Sequence, residues 1–253
     1  MIKRTFSMLR GIGERTEVNL WIEGITDWHA FLETKKVKGI SDRRKRYFDV
    51  LLRHAQQKIH QPRFLAAFFP QPLHWRLYSH LMKNAVYIDI ETSGLSFQSD
   101  ITVIGIYRNA DARYLSLVKG FNLNARNLRE AIWDASIIVT FNGSSFDIPF
   151  IRRHFPFTLP EVPHLDLRFA SRKLGYTGGL KSIERALGIG RDYEVEILTG
   201  EDALLYWRIW KKTGSRRALE ILKRYNRADV ENLVPLARKI YTMLEKKTLG
   251  LDQ

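Results

Sequence analysis

The 253-residue sequence contains no cysteine, which excludes disulfides, thiolate metal sites and cysteine nucleophiles. Any metal must therefore rest on carboxylates or histidines. No stretch approaches ~18 uninterrupted apolar residues, so no membrane-spanning helix is expected. The opening segment, MIKRTFSMLRGIGERTE, is basic but has no apolar run behind it, unlike a secretory signal. A cytoplasmic location is the expectation. Acidic residues are scarce relative to basic ones: 27 Asp and Glu stand against 41 Lys and Arg, giving a net charge of +14. Such an excess points to a polyanionic partner, because Lys and Arg lower the free energy of contact with phosphates. The plainer alternative is a basic protein kept soluble by its charge. Hydrophobic residues at 45% and aromatics at 12% are enough to bury a core and argue against wholesale disorder.

The positive charge is unevenly spread. Before Ala85 there are 16 Lys and Arg against 7 Asp and Glu; after it, 25 against 20. Residues 1–84 read as a basic helical N-terminal region. Leu20, Trp21, Ile25, Trp28 and Leu32 recur at helical spacing around Gly24. Ser41 is placed to cap a helix over 42–59 that is rich in Arg and Lys, and a further apolar helix is expected over 63–69. Neutralising Arg43, Arg44, Lys45 and Arg46 on the basic helix is expected to flatten the salt dependence of binding to a polyanion.

From Ala85 the pattern turns strand-like. The run AVYIDIE, then residues 100–108 and 113–120, read as an antiparallel meander. A short helix over 127–135 and a buried strand over 137–141 follow, and the chain after Pro149 reads as mainly helical, with separate helices over 215–228 and 230–245. Three strands, a helix, a strand and then helices indicate a layered α/β fold with a mixed sheet.

Three acidic segments stand out against this frame. Asp89 and Glu91 lie on one face of the first strand, because the side-chain period is two. Like charges side by side near an apolar strand are costly unless a cation neutralises them. Thr92-Ser93-Gly94 then ends the strand with turn chemistry. In the second segment, Asn142 to Asp147, a strand ends in a Gly/Ser turn before a helix. In the third, Tyr225 and Asp229 stand four apart on one helical face, together with Leu222 and Leu233.

Taken in order, a D-x-E strand end, an N-x-x-x-F-D turn and a helical Y-x-x-x-D resemble the three motifs of the DEDD superfamily of 3′–5′ exonucleases, which have a ribonuclease H-like fold. The resemblance spans residues 85–244, about two-thirds of the chain. Tyr225, four before Asp229, matches the tyrosine-type branch; the histidine-type branch would place His where Arg224 stands. Tyrosine-type members include the proofreading domains of B-family DNA polymerases and ribonuclease D. The segment from Leu180 to Ile189 also resembles a helix-to-glycine stretch of these proteins, read as structural.

The resemblance implies catalysis by two divalent cations, Mg²⁺ or Mn²⁺, held about 4 Å apart. Hard cations take oxygen ligands, which suits a cysteine-free protein with four placed carboxylates. Asp89 would bridge both ions, Glu91 and Asp229 would complete the first site, and Asp147 would support the second. Tyr225 would orient the attacking water; a phenol of pKa ~10 is a poor base at neutral pH. Thr92, Leu95, Asn142 and Phe146 match positions that contact the terminal nucleotide, where an aromatic face can stack a base. For Leu95 and Phe146 core packing is an equal reading, and for Asp166 a helix cap is favoured.

The expected protein is thus an RNase H-like exonuclease domain over 85–253 preceded by the helical region 1–84. It would release 5′-mononucleotides from single-stranded nucleic acid, with DNA favoured over RNA. An RNA-trimming exonuclease similar to ribonuclease D and a catalytically silent nucleic-acid-binding module are the alternatives. Self-association into a homo-oligomer would add grip on a strand and is left open by the sequence.

Overall fold

The computed structural model describes residues 1–94, 96 and 98–251. Five strands form one mixed sheet: β1 (Ala85–Thr92), β2 (Ile101–Arg108), β3 (Arg113–Val118), β4 (Ile137–Thr140) and β5 (His164–Asp166). Their spatial order is β3-β2-β1-β4-β5. The first three pair antiparallel, whereas β4 lies parallel to both β1 and β5. The strand at β5 is only three residues long, too short to leave a periodic signature, and it was not anticipated from the sequence.

The helices are α1 (Glu14–Ile22), α2 (Trp28–Glu33), α3 (Asp42–Gln57), α4 (Pro62–Phe68), α5 (Tyr78–Leu81), α6 (Ala125–Ile132), α7 (Asp147–His154), α8 (Leu167–Arg172), α9 (Leu180–Ala186), α10 (Tyr193–Glu196), α11 (Gly200–Thr213) and α12 (Arg216–Leu249). Local chemistry explains several boundaries. Ser41 and Asp27 cap α3 and α2 through their side chains, and Thr199 and Asp202 form a reciprocal capping box on α11. The segment expected as two helices is the single 34-residue α12. Asp229 does not break it, and Pro235 lies inside it. The packing of Leu222, Val230, Leu233, Leu236 and Ile240 holds the helix through the hydrogen bond that proline lacks.

The alternation of β1 sorts two cores. Val86, Ile88 and Ile90 face a cluster with Leu128, Ile132, Phe150 and Ile151 from α6 and α7. Ala85 and Tyr87 face the other way, into a cluster that runs from Phe6, Trp28 and Leu52 of the N-terminal region through Val139 and Leu165 to Leu233 and Ile240 of α12. The N-terminal helices therefore bury their apolar faces in the same cluster as one side of the sheet.

The basic helix α3 departs from its expected use. Lys45 is buried, pairs with Asp49 at 2.6 Å and lies over the Phe31 ring. Arg44 donates to the Arg10 carbonyl and lies over Phe48. Two of the four cations are thus structural, and Arg43 and Arg46 remain exposed. Among the described residues no helix is long and apolar enough to cross a membrane.

Candidate active site

The site forms where the C-terminal end of β1 meets α12. Asp89 and Glu91 project from the face of β1 that α12 covers, and the register with β2 shifts between Glu91 and Thr92. Asp229, buried on α12, completes a group of three. One carboxylate oxygen from each of Asp89, Glu91 and Asp229 lies within 4.8 Å of the others. Asp147 reaches the same strand end from the opposite layer. It opens α7, is buried, and accepts the N–H of Ile90 at 3.0 Å, the backbone group between the two β1 acids. Tyr225 stands one turn before Asp229 on α12, half-buried.

Crowding and desolvation act together on these acids. Asp89 is held well above the usual carboxylate range by burial first, then by Asp229, Asp147 and Glu91. Glu91 is pushed the same way by burial and by Asp229, with the amide of Asn226 opposing. Asp147 is raised to about 7 by burial, against two backbone hydrogen bonds. Burial also raises Asp229, and Arg191 opposes it. The Tyr225 hydroxyl is raised by burial, then by Asp229, Glu91 and Asp89, so it stays protonated at neutral pH. A cluster of oxygen ligands that resists carrying its own negative charge fits a hard divalent cation, which would remove the repulsion. The donor set contains no sulfur and no imidazole, in keeping with Mg²⁺ or Mn²⁺.

Asn226 and Arg191 shape the site and were not singled out for it in the sequence. Asn226 is completely buried; its amide donates to the Asp89 carboxylate at 2.9 Å, and its carbonyl accepts from Tyr114 at 3.3 Å. The available signal was a polar residue inside the Leu222–Val230–Leu233 stripe. Arg191 pairs with both Glu184 and Asp229. Lys181 lies 5.3 Å from the Tyr225 ring, with its ammonium donating to the carbonyls of Val195, Glu196 and Leu198. Asp166 caps α8 and also accepts the N–H groups of Asn142 and Ser144 at 2.8 and 2.9 Å, fixing the turn that precedes Asp147.

The residues expected to touch substrate divide. Thr92 and Phe146 line a cleft of about 560 Å³ together with Glu91, Thr199, Gly200 and Leu204, so this cleft opens onto the acidic cluster. Phe146 also packs against Phe150, ring centres 4.6 Å apart. Asn142 is not among the described lining residues. Its backbone is left-handed, with φ of 64°, and its side-chain carbonyl accepts from Arg168 at 2.7 Å. Leu95 lies outside the described residues.

The mixed sheet, its 3-2-1-4-5 strand order and the acids at the end of its central strand define the ribonuclease H-like class of α/β proteins. The family model of the RNase_H superfamily matches residues 86–241, and the chain belongs to that superfamily. Among solved structures, the chain is similar to one described as the apo form of a nuclease, at 22% identity and a TM-score of 0.48, covering 69% of this chain and 79% of that one. It is also similar to the catalytic core of RRP6 from Trypanosoma brucei, at 13% identity and a TM-score of 0.43, covering 69% of this chain and 46% of that one. No curated protein matches the sequence.

Proposed function

We propose that this chain is a metal-dependent 3′–5′ exonuclease of the tyrosine type, acting on single-stranded nucleic acid, with DNA favoured, and releasing 5′-mononucleotides. The observation that carries the reading is the convergence of Asp89, Glu91 and Asp229 within 4.8 Å, with Tyr225 one turn before Asp229. Asp89, Glu91 and Asp229 would hold one divalent cation, and Asp147 would support a second beside Asp89. When bound, two such ions supply charge relief at phosphorus and at the attacking and leaving oxygens.

The chain's own residues do the rest. Tyr225, kept protonated, donates a hydrogen bond that orients water instead of removing its proton. Asn226 holds one Asp89 oxygen, which leaves that carboxylate a fixed direction toward the site. The cleft beside Glu91 receives the terminal nucleotide, with Thr92 offering a polar contact and Phe146 an aromatic face. On this reading residues 85–253 form the exonuclease domain, and residues 1–84 are a helical region built onto it.

The test is incubation with 5′-end-labelled DNA and RNA oligonucleotides in Mg²⁺ or Mn²⁺, with a chelator control. We expect a ladder shortening from the 3′ end, faster on DNA and absent with chelator. Asp89→Ala and Asp229→Ala should abolish cleavage while keeping the parent's circular dichroism spectrum. Full activity in either variant overturns the site assignment, and binding without cleavage by the parent overturns the enzymatic reading.

A further inference from the structure

One buried cation sits against the acids of the site. Nη1 of Arg191 donates to Asp229, yet Arg191 does not come alone. Its Nε and Nη2 donate to the two oxygens of Glu184 at 2.5 and 2.7 Å, and both side chains are 1% exposed. The local chain explains the meeting. Glu184 lies in the last turn of α9, the backbone reverses at Gly188 with φ of 65°, and the N–H of Ile189 returns to the Glu184 carbonyl at 2.9 Å. From α12, Asn232 donates to the Gly190 carbonyl at 3.2 Å. The loop carrying Arg191 is therefore fastened to α9 and α12 at once, with the guanidinium between the two acids.

The charge arithmetic gives this arrangement a purpose. A lone guanidinium beside Asp229 would hold that carboxylate but would also repel any divalent cation arriving there. A lone Glu184 would be a buried charge with no partner. Together they are neutral at a distance and still present a directed N–H at short range, since the planar fork leaves one edge for Glu184 and the remaining nitrogen for Asp229. Lys181, a second cation near the site, is spent on three backbone carbonyls.

We propose that Glu184 and Arg191 are a positioning pair for Asp229, a donor carried with its own counter-anion so that the carboxylate is held without loss of affinity for divalent cations. The proposal rests on the reading of Asp229 as a metal ligand. It differs from a purely structural ion pair in what each substitution does to metal binding. Glu184→Gln keeps the side-chain volume and strands the positive charge of Arg191 beside the metal ligands. Glu184→Gln combined with Arg191→Met removes both charges.

Mn²⁺ alone is the probe, titrated into the full chain and followed by the electron paramagnetic resonance of the free ion, with thermal melts in chelator to verify folding. We expect Glu184→Gln to weaken Mn²⁺ binding roughly tenfold or more, the scale seen when groups supporting metal ligands are altered. The double variant should recover part of that loss. Unchanged binding in Glu184→Gln, or equal losses in the single and double variants, overturns the proposal. Should Glu184→Gln fail to fold, Arg191→Lys takes its place: it keeps both charges and loses the fork, so weaker binding is expected and unchanged binding overturns. No Mn²⁺ binding by the parent chain would overturn the metal-site reading and this inference with it, whereas parent binding with insensitive variants overturns this inference alone.

Discussion

Tyr225 and Asn226 are neighbours on α12 with different duties. The asparagine is buried and spends its amide on Asp89, which makes it part of the frame. The tyrosine keeps a hydroxyl that burial and three nearby acids hold protonated, and its ring rests beside the Lys181 ammonium. Tyr225→Phe should leave that ring contact and the fold in place while removing the hydroxyl that, on the proposed reading, orients water. Turnover under single-turnover conditions is expected to fall roughly tenfold or more, with Mn²⁺ affinity within error of the parent. An undiminished rate would reduce Tyr225 to packing. The same pair shows what a sequence carries at this scale. Tyr225 and Asp229 could be singled out because a fixed four-residue spacing on a helix expresses their relation. Asn226, Glu184 and Arg191 act through partners far away in the chain or across a loop, and no spacing encodes such contacts.

At the scale of elements, the site depends on how closely α12 approaches the central strands. Gly105 on β2 pairs with Asp89 on β1, and a Cβ at Gly105 would stand 2.1 Å from the side-chain oxygen of Asn226 and 2.8 Å from Cγ2 of Val230. Neither neighbour is a free surface chain, since Asn226 and Val230 are both completely buried. Gly105→Ala should therefore push the helix off the sheet or turn Asn226 away from Asp89. We expect a loss of about 1–3 kcal/mol, read from urea unfolding, together with reduced nuclease rate. Stability and rate equal to the parent would mean that α12 yields at no cost. The strands β1 to β4 and most helices were legible as alternation, capping and apolar stripes. The unbroken α12 was not, because its continuity across Asp229 comes from packing on the sheet and not from local preference. The three residues of β5 are likewise a strand only because β4 lies beside them.

For the molecule as a whole, the first 84 residues are joined to the sheet by more than apolar contact. His74 accepts the backbone N–H of His164 at 3.0 Å through Nδ1. Its Nε2 is therefore the protonated nitrogen, donating to the Phe69 carbonyl at 2.9 Å. His164 in turn meets the Thr140 hydroxyl at 2.8 Å. The first contact requires a neutral His74, whose Nδ1 accepts, while the Thr140 hydroxyl can meet Nε2 of His164 as donor or acceptor. Burial lowers the pKa of His74 and takes His164 down to about 4; nearby Asp166 pulls upward, while His74 and Arg152 push further down. An unfolded histidine takes its proton near pH ~6.5. Between that value and about 4 the unfolded chain binds more protons than the folded one, so the contribution of His164 is full above pH ~6.5 and is lost as the pH falls. The raised carboxyl of Asp147 works in the opposite direction over part of this range, so the parent's melting curve alone mixes the two. A difference measurement separates them. Relative to His164→Gln, whose side chain does not titrate, the parent should lose on the order of 2–3 kcal/mol between pH 7.5 and pH 4.5. The gap in melting temperature should therefore narrow or reverse toward acid. A gap constant across that range would show that His164 is free to take its proton in the folded chain, and that the contact between the N-terminal region and the sheet edge does not depend on its neutrality.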